Sequence, residues 1–179
     1  MGPADDAKKQ RRIRIVTISF LVVFSASLVL FAVSISHIFE PTNEEGIYCD
    51  DALAIDGNTL RIPSGCFRNA AQLRLIGVDA PERSECGGLV AKDELSRLVD
   101  GQEIQLVLDS SVDPIDQKGR ATTRVEVGDG QDVGLKMILA GRAKVGDYDG
   151  QFTGRIRMYR HAQELAREQN RGIWRECPR

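Results

Sequence analysis

The sequence lacks an excess of basic residues. Its 179 residues include 24 Lys and Arg against 26 Asp and Glu, a formal net charge of −2. Five of the basic residues and two of the acidic ones precede His37, so the remainder carries 19 against 24, a net charge of −5. Because phosphate contacts supply much of a general nucleic-acid binder's affinity, this balance disfavours a protein with a broad basic binding surface.

One long stretch lacks charge altogether. Residues 15–35 contain no charged side chain, and their number is close to the roughly 20 that an α-helix needs to cross a bilayer. Five basic residues precede the stretch: Lys8, Lys9, Arg11, Arg12 and Arg14. By the positive-inside rule they keep the N-terminus in the cytoplasm and place the rest in the periplasm or outside the cell. A cleavable signal peptide, which leads to the same compartment, and a buried core helix are the alternatives.

The chain therefore divides into four predicted segments. Residues 1–14 form a basic cytoplasmic tail, 15–36 a single-pass transmembrane signal anchor, 37–47 a linker and 48–179 a folded domain. No internal repeat is present, and the length after the anchor suits one hydrophobic core.

The cysteines lack the spacing of a zinc site, which disfavours a zinc-binding function. All four follow the uncharged stretch, and an even number in an exported domain favours disulfides. Cys49 and Cys66 lie equally far from the centre of a predicted hairpin, so we expect them to pair across its arms. Cys86 then pairs with Cys177 by elimination. The two histidines, His37 and His161, are expected to be solvated.

Alternating apolar residues and turn residues predict that hairpin at 51–62, followed by strands at 71–78, 103–108 and 122–127. Helical spacing predicts helices at 89–99, 133–139 and 156–169. Antiparallel strands in this order, with a helix inserted midway, predict an α+β fold: a five-stranded Greek-key barrel of the OB type with about three helices.

Three segments contain residues suited to phosphate chemistry: DGNT at 56–59, RLIGVDAPE at 74–82 and DQKGR at 116–120. Each is a weak signal alone. Together and in this order they resemble the DGDT, R-x4-D-x-P-E and D-x-x-G-R signatures of the staphylococcal nuclease family, from about Tyr48 to Trp174. The resemblance implies that family's fold and its calcium-dependent hydrolysis of phosphodiester bonds.

The resemblance also implies catalytic roles. Arg74 and Arg120 would hold phosphate oxygens through their planar guanidinium groups. Glu82 would orient or deprotonate the attacking water. The alternatives are structural. Arg74 is an exposed strand residue, Asp79 and Glu82 shape and solvate the proline turn, and Arg120 forms a surface ion pair with Asp116.

For the metal, the resemblance implies that Asp79 is a direct calcium ligand and that Ala80 offers its backbone carbonyl. Asn58 stands where the family has a second ligating Asp. It keeps one oxygen but removes a negative charge, so we expect a weakened calcium site. Asp56 would support the metal if it turned inward, although its usual place is in the turn.

Further departures concern the substrate. Lys118 stands where the family's nuclease has a tyrosine, and Asp147 and Asp149 stand where it has two more, with Tyr148 between them. Because aromatic rings in such a groove stack on bases, their absence predicts weak affinity for DNA or RNA.

The leading hypothesis is a membrane-tethered, exported nuclease that hydrolyses phosphodiester bonds of single-stranded DNA or RNA. The alternative is a nuclease-fold accessory protein of the cell envelope with little or no activity. It rests on a further resemblance, to an accessory protein of succinoglycan exopolysaccharide biosynthesis.

Overall fold

The structure, a computed structural model, describes residues 46–147 and 152–177. The predicted tail and anchor and nearly all of the predicted linker lie outside the described residues. Within the described part of the chain, no helix is long and apolar enough to cross a membrane.

The described residues contain nine short strands and four helices. The strands are β1 (Ile47–Cys49), β2 (Leu53–Ala54), β3 (Thr59–Arg61), β4 (Gln72–Leu75), β5 (Val78–Asp79), β6 (Ile104–Val107), β7 (Ala121–Val127), β8 (Gln131–Asp132) and β9 (Lys144–Val145). The helices are α1 (Gly88–Val99), α2 (Val133–Leu139), α3 (Ile156–Glu168) and α4 (Ile173–Glu176). The short α4 is one helix more than predicted, and β1 begins at Ile47, inside the predicted linker.

Seven of the strands form one mixed sheet in the order β1-β6-β7-β4-β3-β2, with β8 added to β7. β1 and β2 are consecutive in the chain but lie at opposite ends of this order. The segment 47–54 therefore pairs with β6 through β1 and with β3 through β2. β5 and β9 form a separate antiparallel pair.

The expectation that all the strands are antiparallel is wrong for one pair. β4 runs parallel to β7, with Arg74 beside Thr122. Parallel neighbours need a long crossover connection, and here α1 and β6 lie within it.

The predicted hairpin is confirmed, with Ala54 opposite Leu60 in β2 and β3. Both predicted disulfides are present, each with 5.7 Å between its Cα atoms. Cys49 lies on β1 opposite Ile104, so the Cys49–Cys66 pair does not join the hairpin's own arms as predicted.

The helices form where apolar residues recur at helical spacing. Ala91, Leu95 and Val99 lie four residues apart on α1, and all three are fully buried. Gly101 follows the end of α1 with φ +71°, a left-handed conformation that favours glycine. Asp132 caps α2 by accepting a hydrogen bond from the Leu135 N–H.

The helices pack on the sheet to form one core. Its largest fully buried side chains come from the strands, from α1 and α2, and from Tyr159 of α3: Leu60, Leu73, Leu75, Ile104, Val125, Leu95, Met137, Ile138 and Tyr159. Leu73 is fully buried in this core, whereas Trp174 is only half-buried.

Candidate active site

Arg74 lies at the centre of the candidate site. It is on β4, between Thr59 of β3 and Thr122 of β7, and its side chain is 21% exposed. Its Nη1 donates to Asn58 Oδ1 at 2.6 Å, and its Nη2 lies 4.0 Å from Asp79 Oδ1. Arg74 is therefore not the exposed strand residue of the structural alternative.

The turn between β2 and β3 brings Asn58 to Arg74. Asp56 Oδ1 accepts a hydrogen bond from the Asn58 N–H at 2.9 Å, so Asp56 keeps its place in the turn. At Gly57 a Cβ atom would lie 2.6 Å from the Ala80 Cβ. Glycine thus allows this turn to pack against Ala80, which follows Asp79 at the end of β5.

Asn58 is almost fully buried, with 3% of its surface exposed, and both ends of its carboxamide are used. Its Nδ2 donates to the Val78 carbonyl at 3.2 Å, while its Oδ1 accepts from Arg74 and, at 3.3 Å, from the Thr59 hydroxyl. The residue is therefore integrated into the protein's own hydrogen bonding.

Asp79 and Glu82 lie on the exposed side of the site. Asp79 ends β5 opposite Lys144, and its side chain is 60% exposed. Glu82 is exposed and opens a turn in which its N–H donates to Glu85 Oε2 at 2.8 Å. A Cβ atom at Gly88 would lie 1.9 Å from the Glu82 carbonyl oxygen, so the turn closes against α1 because residue 88 is glycine.

Asp116 holds Arg120. Asp116 Oδ2 accepts from Arg120 Nε at 2.6 Å, and Oδ1 accepts from the Arg120 and Lys118 backbone N–H groups at 2.8 Å each. The Asp116 side chain has no exposed surface and that of Arg120 is 17% exposed. The pair is therefore buried, in contrast to the surface ion pair of the alternative.

The pKa of Arg74 reports which charges surround it. Burial lowers this pKa, and the positive charge of Arg120 lowers it further. The carboxylates of Asp56, Asp79 and Glu82 act in the opposite direction. Arg120 and the predicted carboxylates thus all lie within electrostatic reach of Arg74.

The oxygen donors of this site do not fit a calcium centre. Calcium prefers six to eight oxygen ligands, several of them carboxylates. Asp79 and the Ala80 carbonyl are available by position, but Asn58 Oδ1 is hydrogen-bonded to a cationic side chain. In the described residues no group of three or more His, Cys, Asp or Glu side chains is placed to hold a metal ion.

The residues that replace the family's tyrosines are only partly described. Lys118 and Asp147 are exposed. Tyr148 and Asp149 lie outside the described residues. His161 is exposed on α3, as expected, and His37 is outside the described part.

A cleft of about 660 Å³ adjoins the site, and sequence reasoning missed it. Its lining includes Asp79, Glu82, Lys144, Arg167 and Trp174. Lys144 Nζ lies 5.9 Å from the centroid of a Trp174 ring. Asp79 and Lys144 come together only through the pairing of β5 with β9, so no local pattern predicts the cleft.

The disulfide Cys86–Cys177 also borders this cleft, and it links the turn after Glu82 to the end of α4. The supporting role of Gly88 was missed, and Asp116 was considered only as the partner of Arg120 in a surface ion pair. The four-residue spacing of Asp116 and Arg120 was a signal for their pairing, whereas nothing local marked Gly88.

Comparison with known proteins gives two findings. A sequence model of the family described as "Staphylococcal nuclease homologue" matches residues 72–176. The chain is also 30% identical over 123 residues to an "Uncharacterized endonuclease" of Escherichia coli O157:H7, across 69% of this chain and 74% of that protein. A protein of the same description from Escherichia coli matches with the same identity and coverage.

Proposed function

This chain belongs to the staphylococcal nuclease family, and on that premise we propose that it hydrolyses phosphodiester bonds of single-stranded DNA or RNA. The family match covers the segments with Arg74, Glu82 and Arg120. Both similar proteins from Escherichia coli are described as endonucleases.

In the proposed reaction the two arginines bind the scissile phosphate. Each guanidinium group can hold phosphate oxygens through two parallel N–H groups, and the interaction strengthens as negative charge gathers in the transition state. Asp116 orients Arg120, and the sheet positions Arg74. Glu82, exposed beside them, orients or deprotonates the water that attacks phosphorus.

One observation carries this proposal: Arg74 is partly exposed, its Nη2 lies 4.0 Å from Asp79 Oδ1, and Arg120 and Glu82 are within its electrostatic reach. Two like charges held close together are costly unless they serve a common anion or are compensated by carboxylates. A phosphate group placed between the two guanidinium groups would supply that anion.

The test is hydrolysis of single-stranded DNA and RNA oligonucleotides by the purified full chain and its Glu82→Gln variant. We expect the variant to lose about 10²- to 10⁴-fold in kcat, the usual contribution of a general base. Glu164→Gln makes the same chemical change at an exposed position on α3 and should retain the original rate. Equal rates for the wild-type chain and Glu82→Gln would contradict the assigned role.

We propose that any calcium dependence is weak, since the donors around Asn58 do not fit a calcium centre. No step of the mechanism above is assigned to the metal. The proposed calcium ligands therefore reduce to Asp79 and the Ala80 carbonyl, with Asp56 engaged in its turn.

The poor fit of the donors around Asn58 to calcium also favours a second candidate function. If catalysis requires a metal that this site no longer binds, the domain would act as an accessory protein of the cell envelope, for example in exopolysaccharide synthesis. Absence of hydrolysis by the wild-type chain on DNA and RNA, with calcium and without it, would support this candidate over the enzyme.

We also propose that the domain is an OB-type barrel of five strands. Counting 47–54 as one bent strand, this strand with β3, β4, β6 and β7 makes a five-membered ring, because it pairs with β6 at one end and with β3 at the other. This arrangement supports a closed barrel.

The membrane anchor is likewise a proposal, with 15–36 as the single span and the domain outside the cytoplasm. It is supported by the uncharged run and the basic residues before it. Two disulfides in the domain agree with an oxidising compartment. Retention in the membrane fraction after alkaline washing, with the domain open to added protease, is the expected result.

A further inference from the structure

The side chains of Asn58 and Arg74 are interlocked. Arg74 Nη1 donates to Asn58 Oδ1 at 2.6 Å, and both residues also donate to the Val78 carbonyl, Asn58 at 3.2 Å and Arg74 at 3.5 Å. Asn58 in the turn before β3, Arg74 on β4 and the Val78 carbonyl of β5 thus form one hydrogen-bonded cluster.

The donors in this cluster fix the orientation of the Asn58 carboxamide. If the amide were turned over, its NH₂ group would face the guanidinium group, donor against donor, and its oxygen would face the Val78 carbonyl. An aspartate at this position would keep an acceptor for Arg74 but would place a second oxygen against Val78. Asparagine is the residue that satisfies both neighbours.

The contact between Asn58 and Arg74 also opposes the binding of a metal ion at this site. A metal ion bound between Asn58 and Asp79 would need the Asn58 oxygen, but the Arg74 guanidinium group already lies against that oxygen and 4.0 Å from Asp79 Oδ1. Because a carboxamide carries no net charge, it offers an incoming dication little compensation for displacing a cationic side chain.

We propose that Asn58 is a positioning residue that holds Arg74 between Asn58 and Asp79, where the guanidinium group takes the place of a bound cation. The positive charge of this site is then supplied by the protein. The kinetic part of this inference rests on the proposed function, whereas its structural part does not.

The structural part is tested by NMR on the full chain in detergent, labelled with ¹⁵N arginine and asparagine. A held guanidinium group rotates slowly, so we expect resolved Nη–H signals from Arg74. Asn58→Ala should collapse them, Asn58→Asp should retain them, and the Arg120 signals should stay unchanged as the internal control. Arg74 signals that are averaged in the wild-type chain, or unaffected by Asn58→Ala, would overturn the proposal.

A calcium titration of the same samples tests the claim about cations. We expect the Arg74 and Asn58 signals of the wild-type chain to stay in place at about 1 mM calcium, and Asn58→Asp to bind in the weak range of about 10⁻⁴ to 10⁻³ M. Calcium that displaces Arg74 from Asn58 in the wild-type chain would overturn the proposal.

Kinetics with a chelator present provide the functional readout. Asn58→Ala should lower kcat about ten- to a hundredfold with little change in KM, and Asn58→Asp should restore most of the rate. Loss of all wild-type activity on adding the chelator would overturn the kinetic part. A wild-type chain that is inactive under every condition would refute the proposed function, while the NMR result would still decide the interlock.

Discussion

At the scale of single residues, Asp116 shows how a buried carboxylate can prepare a basic side chain for binding. It accepts from the backbone and from the side chain of Arg120, and it is fully buried. Hydrogen bonds to a charged group are stronger than neutral ones, and breaking them in a buried place is costly. Asp116 therefore acts on substrate only through Arg120.

Replacing Asp116 by Asn tests this role. We expect a loss of about 1–3 kcal/mol in the free energy of unfolding, because a charged partner of Arg120 becomes neutral. The kcat/KM for oligonucleotides should fall at least tenfold. Urea unfolding and steady-state kinetics measure the two effects, with Asp129→Asn, at an exposed turn position, as the matched control.

Asp109 predicts a pH dependence of stability. Burial acts to raise its pKa, but hydrogen bonds from Thr153, Ser111 and Gly154 outweigh that effect and lower the pKa below its ordinary value. A carboxylate whose pKa is lowered on folding stabilises the protein above its unfolded pKa, and this contribution is lost as the pH falls through the folded pKa.

We therefore expect Asp109→Asn to be less stable than the wild-type chain at pH 7, with the difference shrinking as the pH falls below about 4. Thermal unfolding across this pH range measures it. A difference that is constant with pH would mean that the charge of Asp109 contributes nothing.

The roles of single residues were only partly predictable from sequence. The motif order indicated Arg74, Asp79, Glu82 and Arg120 because their spacing is local. The contact between Arg74 and Asn58 joins residues 16 positions apart, one on β4 and the other in the turn just before β3. It depends on the register of β3 against β4, which the sequence does not display.

At the scale of secondary-structure elements, the start of α1 determines where Glu82 lies. The helix begins at Gly88, and the Glu82 carbonyl occupies the space that any larger side chain would need. Helix α1 contains no predicted catalytic residue, yet its first residue determines the position of Glu82, which precedes it in the chain.

Gly88→Ala should displace the Glu82 turn. We expect kcat to fall at least tenfold and the free energy of unfolding to fall by about 1–3 kcal/mol, the usual cost of forcing an atom into filled space. Because alanine favours helices over glycine, any stabilisation would argue against the clash. Leu89→Ala, at the next position and exposed, is the control for oligonucleotide kinetics and thermal unfolding.

The helices were predicted closely, whereas strand pairing was predicted only for the local hairpin of β2 and β3. Three helices agree with the predicted ranges to within one residue at each end, since apolar spacing along one helix is a local property. The parallel neighbours β4 and β7 are separated by 45 residues between Leu75 and Ala121, and only the collapsed fold brings them together.

At the scale of the whole molecule, the two disulfides constrain very different lengths of chain. Cys49 and Cys66 are 17 positions apart, and Cys86 and Cys177 are 91 apart. In the chain-entropy account, a longer closed loop restricts the unfolded chain more strongly.

Replacing both cysteines of a pair by serine should therefore cost more for Cys86–Cys177 than for Cys49–Cys66. The expected losses in free energy of unfolding are about 4.5 and about 3 kcal/mol. Urea unfolding of the two double variants measures them, with each single-pair variant serving as the control for the other. The reverse order would indicate that strain or unfolded-state structure outweighs loop entropy.

The segment 47–54 has a consequence for proteolysis. Asp50 and Asp51, between β1 and β2, are both exposed. If the domain is exported and anchored as proposed, a protease outside the cytoplasm could nick the chain there. Such a nick would not shed the domain, because Cys49, upstream of the cut, stays bonded to Cys66 downstream of it. Release would need a reductant as well as a protease, whereas a cut before Gly46 would free the domain at once.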